Sequence, residues 1–260
     1  MDGAPTRPRR GVRTAVVRDL GSFAAVVLEP LGVTRVETRL PPLSGPDPIR
    51  RAQSTPVVLL HGYGGNPANW RPMRRNLAAA GFGHVRSMSY NPLAHDIPAL
   101  AVMLVRECAE AMDTANADRV HVVAHSLGGV VLRYAVQCFG LPAGLDTAVT
   151  IAAPHAGTPV ARLGRGAVAV ALRPSSALLA EMEATAGARP AGRVRWVTYY
   201  SDADLVVPAS SARLSHPALG ARNVLVRNEG HMSILSAAAV LHGTVRDLLE
   251  SEAAAAGVAA

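Results

Sequence analysis

The chain has 260 residues, of which 49% are hydrophobic, and 26 basic against 19 acidic side chains give a formal net charge of +7. That much apolar material can bury one large core, and α/β chains of this length commonly fold as one domain, which excludes a disordered or fibrous protein. No apolar run reaches the roughly eighteen residues of a transmembrane helix, and Cys108 and Cys138, both in helix-like segments, make no disulfide framework.

Residues 1–53 read as a lead-in. In the first 20 residues Arg7, Arg9, Arg10, Arg13 and Arg18 stand against Asp2 and Asp19. Such an arm is either a solvated tail or a peripheral contact with an anionic membrane. No aromatic-interleaved basic stripe and no zinc-ligand spacing is present, so nucleic acid is not an expected partner. Segment 12–31 has helical spacing, with Val12, Ala15, Val16, Leu20 and Phe23 on one face. The apolar stretch Phe23 to Leu28 stops at Glu29-Pro30, shorter than a signal-peptide core and without a clear small-x-small cleavage site. The expected location is therefore cytoplasmic, with secretion or membrane-peripheral placement as alternatives. Val33 to Leu40 alternates weakly, as an edge strand would, and a Pro-rich loop (Pro41, Pro42, Pro46, Pro48) follows.

Residues 54–251 read as the main domain. Short β-branched runs alternate with longer amphipathic or apolar segments, the signature of a parallel sheet with crossover helices. The strand candidates are Val57–Leu60, Val85–Ser89, Val120–Ala124, Ala148–Ala152, Arg195–Tyr199 and Asn223–Val226. The helix candidates are Arg71–Ala80, Ile97–Ala115, Gly128–Phe139 and a last one from His231 onwards. Segment 155–192 is longer than one crossover needs and holds a helical patch, Ser176 to Ala184. Inserted at the carboxyl end of a strand, it would sit over a site as a small cap. The Ala-rich tail, 252–260, is expected to fray.

The densest chemical signal is Val120-His121-Val122-Val123-Ala124-His125-Ser126-Leu127-Gly128-Gly129: a strand, a cramped turn with one serine, then a helix. That is the arrangement of a nucleophile elbow, with Ala124 where the first Gly of G-x-S-x-G is expected. A serine hydroxyl needs a base to take its proton and a third group to orient that base. After Ser126, the loop following the Arg195 strand offers two carboxylates, Asp202 and Asp204. His231 follows Gly230 in the loop after the last strand. His242 lies inside the closing helix pattern, His216 precedes a proline and His155 follows an earlier strand, which makes them weaker bases. Oxyanion donors would be the backbone N–H of Leu127, at a helix start, and that of Tyr63 in the loop His61-Gly62-Tyr63-Gly64-Gly65. No Lys-Ser/Thr follows these glycines, so they do not form a phosphate-binding P-loop.

Taken together, His61-Gly62 at a strand end, Ala124-His125-Ser126-Leu127-Gly128-Gly129, Asp204 before Leu205-Val206-Val207-Pro208, and Gly230-His231 resemble the α/β-hydrolase superfamily, in its bacterial lipase and esterase branch. An elbow with Ala for the first Gly is familiar from the small lipases of Gram-positive bacteria. The Ser201-Asp202-Ala203-Asp204 run of that group selects Asp204. Ala221-Arg222-Asn223-Val224 before Gly230-His231, and Pro154-His155 before Gly157-Thr158, are similar to lipase features as well.

The resemblance spans about residues 56–250. It implies an α/β-hydrolase fold, a central mostly parallel sheet flanked by helices with a small cap-like insertion. It further implies a serine hydrolase of carboxylic esters, such as acylglycerols, with the triad Ser126, Asp204 and His231. Tyr63 and Leu127 would supply the oxyanion hole, His61 and Gly62 the supporting loop, and no metal or cofactor would be needed. A thioesterase or an acyltransferase would use the same residues. A non-catalytic relative would be expected to lack one of them. Oligomeric state is not readable.

Overall fold

The computed structural model describes residues 38–39, 55–141, 144–187 and 194–257. The Arg-rich arm, the helical spacing over 12–31 and the Pro-rich loop lie outside them.

After the two-residue strand β1 (Thr38–Arg39) come β2 (Val57–Leu60), β3 (His84–Met88), β4 (Val120–His125), β5 (Leu145–Ile151), β6 (Arg195–Ser201) and β7 (Arg222–Val226). The helices are α1 (Arg71–Ala79), α2 (Ile97–Ala115), α3 (Leu127–Phe139), α4 (Ala167–Ala171), α5 (Ala177–Thr185), α6 (Ala209–Ala212) and α7 (Ala238–Ala255). Strands β2 to β7 run parallel, and β1 pairs antiparallel with β3 at the edge, giving the order β1-β3-β2-β4-β5-β6-β7. The expected Val57–Leu60 strand is found unchanged, other strand ends coincide or shift by up to three residues, and only the Thr38–Arg39 part of the expected edge strand is described.

Period-two alternation divides β2 between two cores. Val58 and Leu60 join Val122, Ala124 and the inner faces of α2 and α3. Val57 and Leu59 join Val123, Val149 and Val197 under α1 and α7. Both faces are covered, which is why these strands are continuous β-branched runs. Asp96 caps α2 by accepting the Ala99 N–H, and that helix ends at Asn116 in the left-handed region. Cys108 is buried, Cys138 half-buried, and the two are not joined in a disulfide.

The chain leaves β2 towards β3 on one side and leaves β4 towards β5 on the other. Between β2 and β4 the connections therefore diverge, opening a crevice at their carboxyl ends, where ligands bind in open α/β sheets.

The segment after β5 carries α4 and α5. Val168, Leu172, Leu179 and Met182 are buried in the core shared with α2 and α3. Arg133, fully buried on α3, clamps the segment. Its guanidinium donates to the carbonyls of His155 (3.2 Å) and Met182 (3.4 Å), the Glu183 carboxylate (2.9 Å) and the Gln137 amide oxygen (3.0 Å).

Two expectations need correction. The last helix begins at Ala238, not His231, because a 3-10 turn (Ser233–Ser236) and an extended Ala237 intervene. The tail does not fray from residue 252, since α7 continues to Ala255 with Glu252 buried. Alanine favours the helix, and the Glu252 carboxylate meets His121 Nε2 at 2.9 Å and accepts from Arg119 at 3.1 Å. Burial works against that charge, yet His121 and Arg119 hold the Glu252 pKa below its ordinary value.

Candidate active site

Ser126 sits between β4 and α3 with φ 52° and ψ −124°. A residue with a side chain held there costs about 1–3 kcal/mol, which the surrounding packing must sustain. The Ser126 N–H donates to the Ile151 carbonyl and the Ser126 carbonyl accepts from Gly129, both at 2.9 Å. The glycine after the elbow is needed for packing: a Cβ on Gly128 would lie 2.6 Å from the Leu60 carbonyl oxygen. At Ala124 no such demand exists. It is an ordinary β4 residue in register with Leu60 and Thr150, away from the positive-φ positions. Its methyl is therefore accommodated where the usual motif has glycine.

The topology brings Ser126, His231 and Asp204 together from three loops. The Ser126 hydroxyl donates to His231 Nε2 at 3.0 Å, and His231 Nδ1–H donates to Asp204 Oδ2 at 2.8 Å. The other Asp204 oxygen accepts the N–H groups of Val206 and Val207, each at 2.8 Å. Asp204 is thus fixed on both oxygens, and all three residues are buried to within 9% of full exclusion. The alternative carboxylate, Asp202, does different work: it accepts the Asn228 N–H at 2.9 Å and pairs with Arg227. With Ser201, whose hydroxyl donates to the Glu229 carbonyl at 2.7 Å, it pins the loop that carries His231.

Gly62 abuts the nucleophile: a Cβ there would lie 2.8 Å from that of Ser126 and 3.0 Å from His125 Nδ1. Tyr63 comes next, with its side chain 46% exposed. Leu127 opens α3, where the first N–H groups have no intrahelical acceptor. Neither N–H is among the turn and loop hydrogen bonds of the described residues, so both remain available as donors. The His61 ring stacks on Tyr90 (4.2 Å between centroids, 4° apart) and its Nδ1–H reaches the Gly62 carbonyl at 2.9 Å. Burial lowers its pKa, so His61 stiffens the loop as a neutral ring.

Sequence reasoning missed His125. Its Nε2–H donates to the backbone carbonyl of His231 at 3.0 Å, and the two rings lie 4.8 Å apart. Burial, then the neighbouring His231, drives its pKa well down. His125 is therefore a neutral strut under the base. No sequence pattern predicts a bond across 106 residues. His155, a rejected candidate base, is buried against Thr150 Oγ1 (3.1 Å), with its pKa pushed by burial and then by Arg133 to about 3.

Among the described residues, one group could converge on a metal ion: His121, Asp146 and Glu252, with atoms within 4.8 Å of one another at the opposite end of the sheet. Arg119 already donates to Asp146 at 2.6 Å and to Glu252 at 3.1 Å. The guanidinium takes the place a cation would fill.

Residues 52–170 match the family described as "Putative serine esterase (DUF676)". The mature lipase BlEst2 of Bacillus licheniformis is similar in structure, with a TM-score of 0.67 and 17% identity over 83% of this chain and 98% of that one. A carboxylesterase structure from Nitrososphaera gargenis has a TM-score of 0.55 and 14% identity, covering 78% of this chain and 93% of that one. A 2-hydroxy-6-oxo-6-phenylhexa-2,4-dienoate hydrolase from Rhodococcus sp. strain RHA1 has a TM-score of 0.53 and 19% identity, covering 84% of this chain and all (100%) of that one. At these identities the likeness establishes the fold.

Proposed function

We infer that this chain, an α/β-hydrolase, is a serine esterase that cleaves carboxylic esters through an acyl-enzyme, with Ser126, His231 and Asp204 as its triad. The observation that carries the reading is the continuous pair of hydrogen bonds from Ser126 Oγ through His231 to Asp204. His231 takes the hydroxyl proton at Nε2 as Ser126 Oγ attacks the acyl carbonyl. The Asp204 carboxylate holds the Nδ1–H tautomer and stabilises the imidazolium that forms. Oxyanion charge develops towards the N–H groups of Tyr63 and Leu127, each such donor contributing about 2.7–4 kcal/mol in comparable sites. The protonated His231 then delivers its proton to the leaving alcohol, and the same base activates the water that releases the acid.

Apolar acyl groups suit the site better than charged ones. Tyr63, Leu93 and Leu205 project partly into solvent from the loops after β2, β3 and β6, and an acyl chain lying across them would remove apolar surface from water. The test is hydrolysis of p-nitrophenyl esters from acetyl to palmitoyl. The wild-type chain should hydrolyse them and Ser126→Ala should not, at unchanged circular dichroism and Tm. Full activity in Ser126→Ala would refute the reading.

A further inference from the structure

Nine large hydrophobic side chains are exposed among the described residues, and six of them, Tyr63, Leu93, Val160, Leu163, Val170 and Leu205, lie in segments leaving the carboxyl ends of strands. Leu205 adjoins Asp204, so part of this exposed apolar surface borders the Ser126 crevice. The most projecting part of that surface is the turn after the 3-10 helix Pro159–Arg162, where Leu163 is 87% exposed between the exposed Arg162 and Arg165. From Asp146 to Glu181 the sequence holds no intervening Asp or Glu, while Arg162, Arg165 and Arg173 all fall within it. The turn is firmly placed. Thr158 Oγ1 donates to the Val206 carbonyl, which sets it beside Leu205, the neighbour of Asp204. The Arg133 clamp holds the rest of the segment to α3.

A leucine flanked by arginines, with no acidic residue near it in sequence, matches the boundary of an anionic bilayer, where apolar side chains enter the acyl region and guanidinium groups meet phosphates. We propose that the turn at 160–165, with Leu205, is a membrane-docking surface for anionic phospholipid. Docked this way, the chain faces its Ser126 crevice towards the lipid. The consequence, that acyl substrate is drawn from the lipid phase, rests on the esterase reading, whereas the docking itself does not.

The test is flotation of the full-length protein with phosphatidylcholine vesicles and with phosphatidylcholine vesicles containing phosphatidylglycerol, at low and high salt. Binding should require phosphatidylglycerol and weaken as salt screens the arginines. Arg162→Gln and Arg165→Gln should each lower the binding constant about fivefold, and about 25-fold together. Leu163→Asp should lower it by roughly tenfold through lost insertion. All three variants should hydrolyse soluble p-nitrophenyl acetate at the wild-type rate. The proposal is overturned if both vesicle types bind alike, if the variants bind as well as wild type, or if only deletion of residues 1–30 removes binding. Failure of the esterase reading would look different: intact vesicle binding without ester hydrolysis.

Discussion

The molecule holds two buried histidine–carboxylate pairs at opposite ends of one strand. His231 and Asp204 meet at 2.8 Å beyond the carboxyl end of β4, and His121, near its amino end, meets Glu252 at 2.9 Å. Distance and burial hardly distinguish them. What differs is the other side of each group. The second nitrogen of His231 faces the Ser126 hydroxyl, whereas that of His121 is buried with no hydrogen-bond partner among the described residues, and Phe82 stands edge-on to the ring. Asp204 is held by backbone N–H groups, which leave the imidazole as its sole side-chain partner among the described hydrogen bonds, whereas Glu252 also serves Arg119. A histidine–carboxylate pair becomes catalytic machinery through what its free nitrogen touches. Otherwise it is a fastener, here tying α7 to the sheet.

Removing one carboxylate from each pair separates these roles most sharply. Asp204→Asn should reduce kcat for p-nitrophenyl butyrate about 10⁴-fold by favouring the wrong tautomer of His231, with little change in Tm. Glu252→Gln should do the reverse. It weakens the hydrogen bonds that tie Glu252 to Arg119, which keeps Asp146, and to His121, at a cost of about 1.5–3 kcal/mol read by urea denaturation, while kcat stays at the wild-type value. Loss of activity from a folded Glu252→Gln protein would erase the distinction.

The next effect concerns the strut. His125→Phe keeps a flat ring but removes the N–H that holds the His231 carbonyl, so kcat should fall about tenfold, the equivalent of one hydrogen bond, with KM unchanged. His125→Gln keeps a donor and should recover part of that loss. The downfield proton resonance of the His231–Asp204 hydrogen bond should broaden in the Phe variant and persist in the Gln variant. A merely structural role would leave it unmoved in both.

Much of this layout was legible in the residues. Most strands showed themselves because both faces of the sheet are covered, which leaves apolar runs such as Val57-Val58-Leu59-Leu60. Ser126 and His231 stood out by their order and neighbours, Asp204 was separated from Asp202 by the family resemblance, and the structure places all three in one chain of hydrogen bonds. The N-terminal-end fastener was not legible, because Glu252 stands at the head of an alanine tract and its partners lie 131 and 133 positions away. Arg133 gave a fainter signal, a lone charge in the apolar run Val130-Val131-Leu132-Arg133-Tyr134. In a buried helix such a charge must find partners, but nothing in the run says that they are the carbonyls of His155 and Met182.

A further effect sharpens the comparison through pH. Folding holds His155 near a pKa of about 3, against about 6.5 when unfolded, so the unfolded chain binds the extra proton between those values. The neutral state of His155 therefore stabilises the fold above about pH 6.5. That stability is lost as pH falls towards about 3, by up to about 1.4 kcal/mol per pH unit. His125 acts in the same direction. His155→Gln should flatten the acid side of the stability profile measured by urea denaturation, and a slope unchanged from wild type would contradict this.

The most direct test of the triad is to map the adduct of a fluorophosphonate probe by peptide mass spectrometry. The expected result is one modified residue, Ser126, with labelling strongly slowed in Asp204→Asn and unchanged in Glu252→Gln. Modification of another residue, or equal labelling rates in the two variants, would contradict the assignment of Ser126, His231 and Asp204 as one catalytic unit.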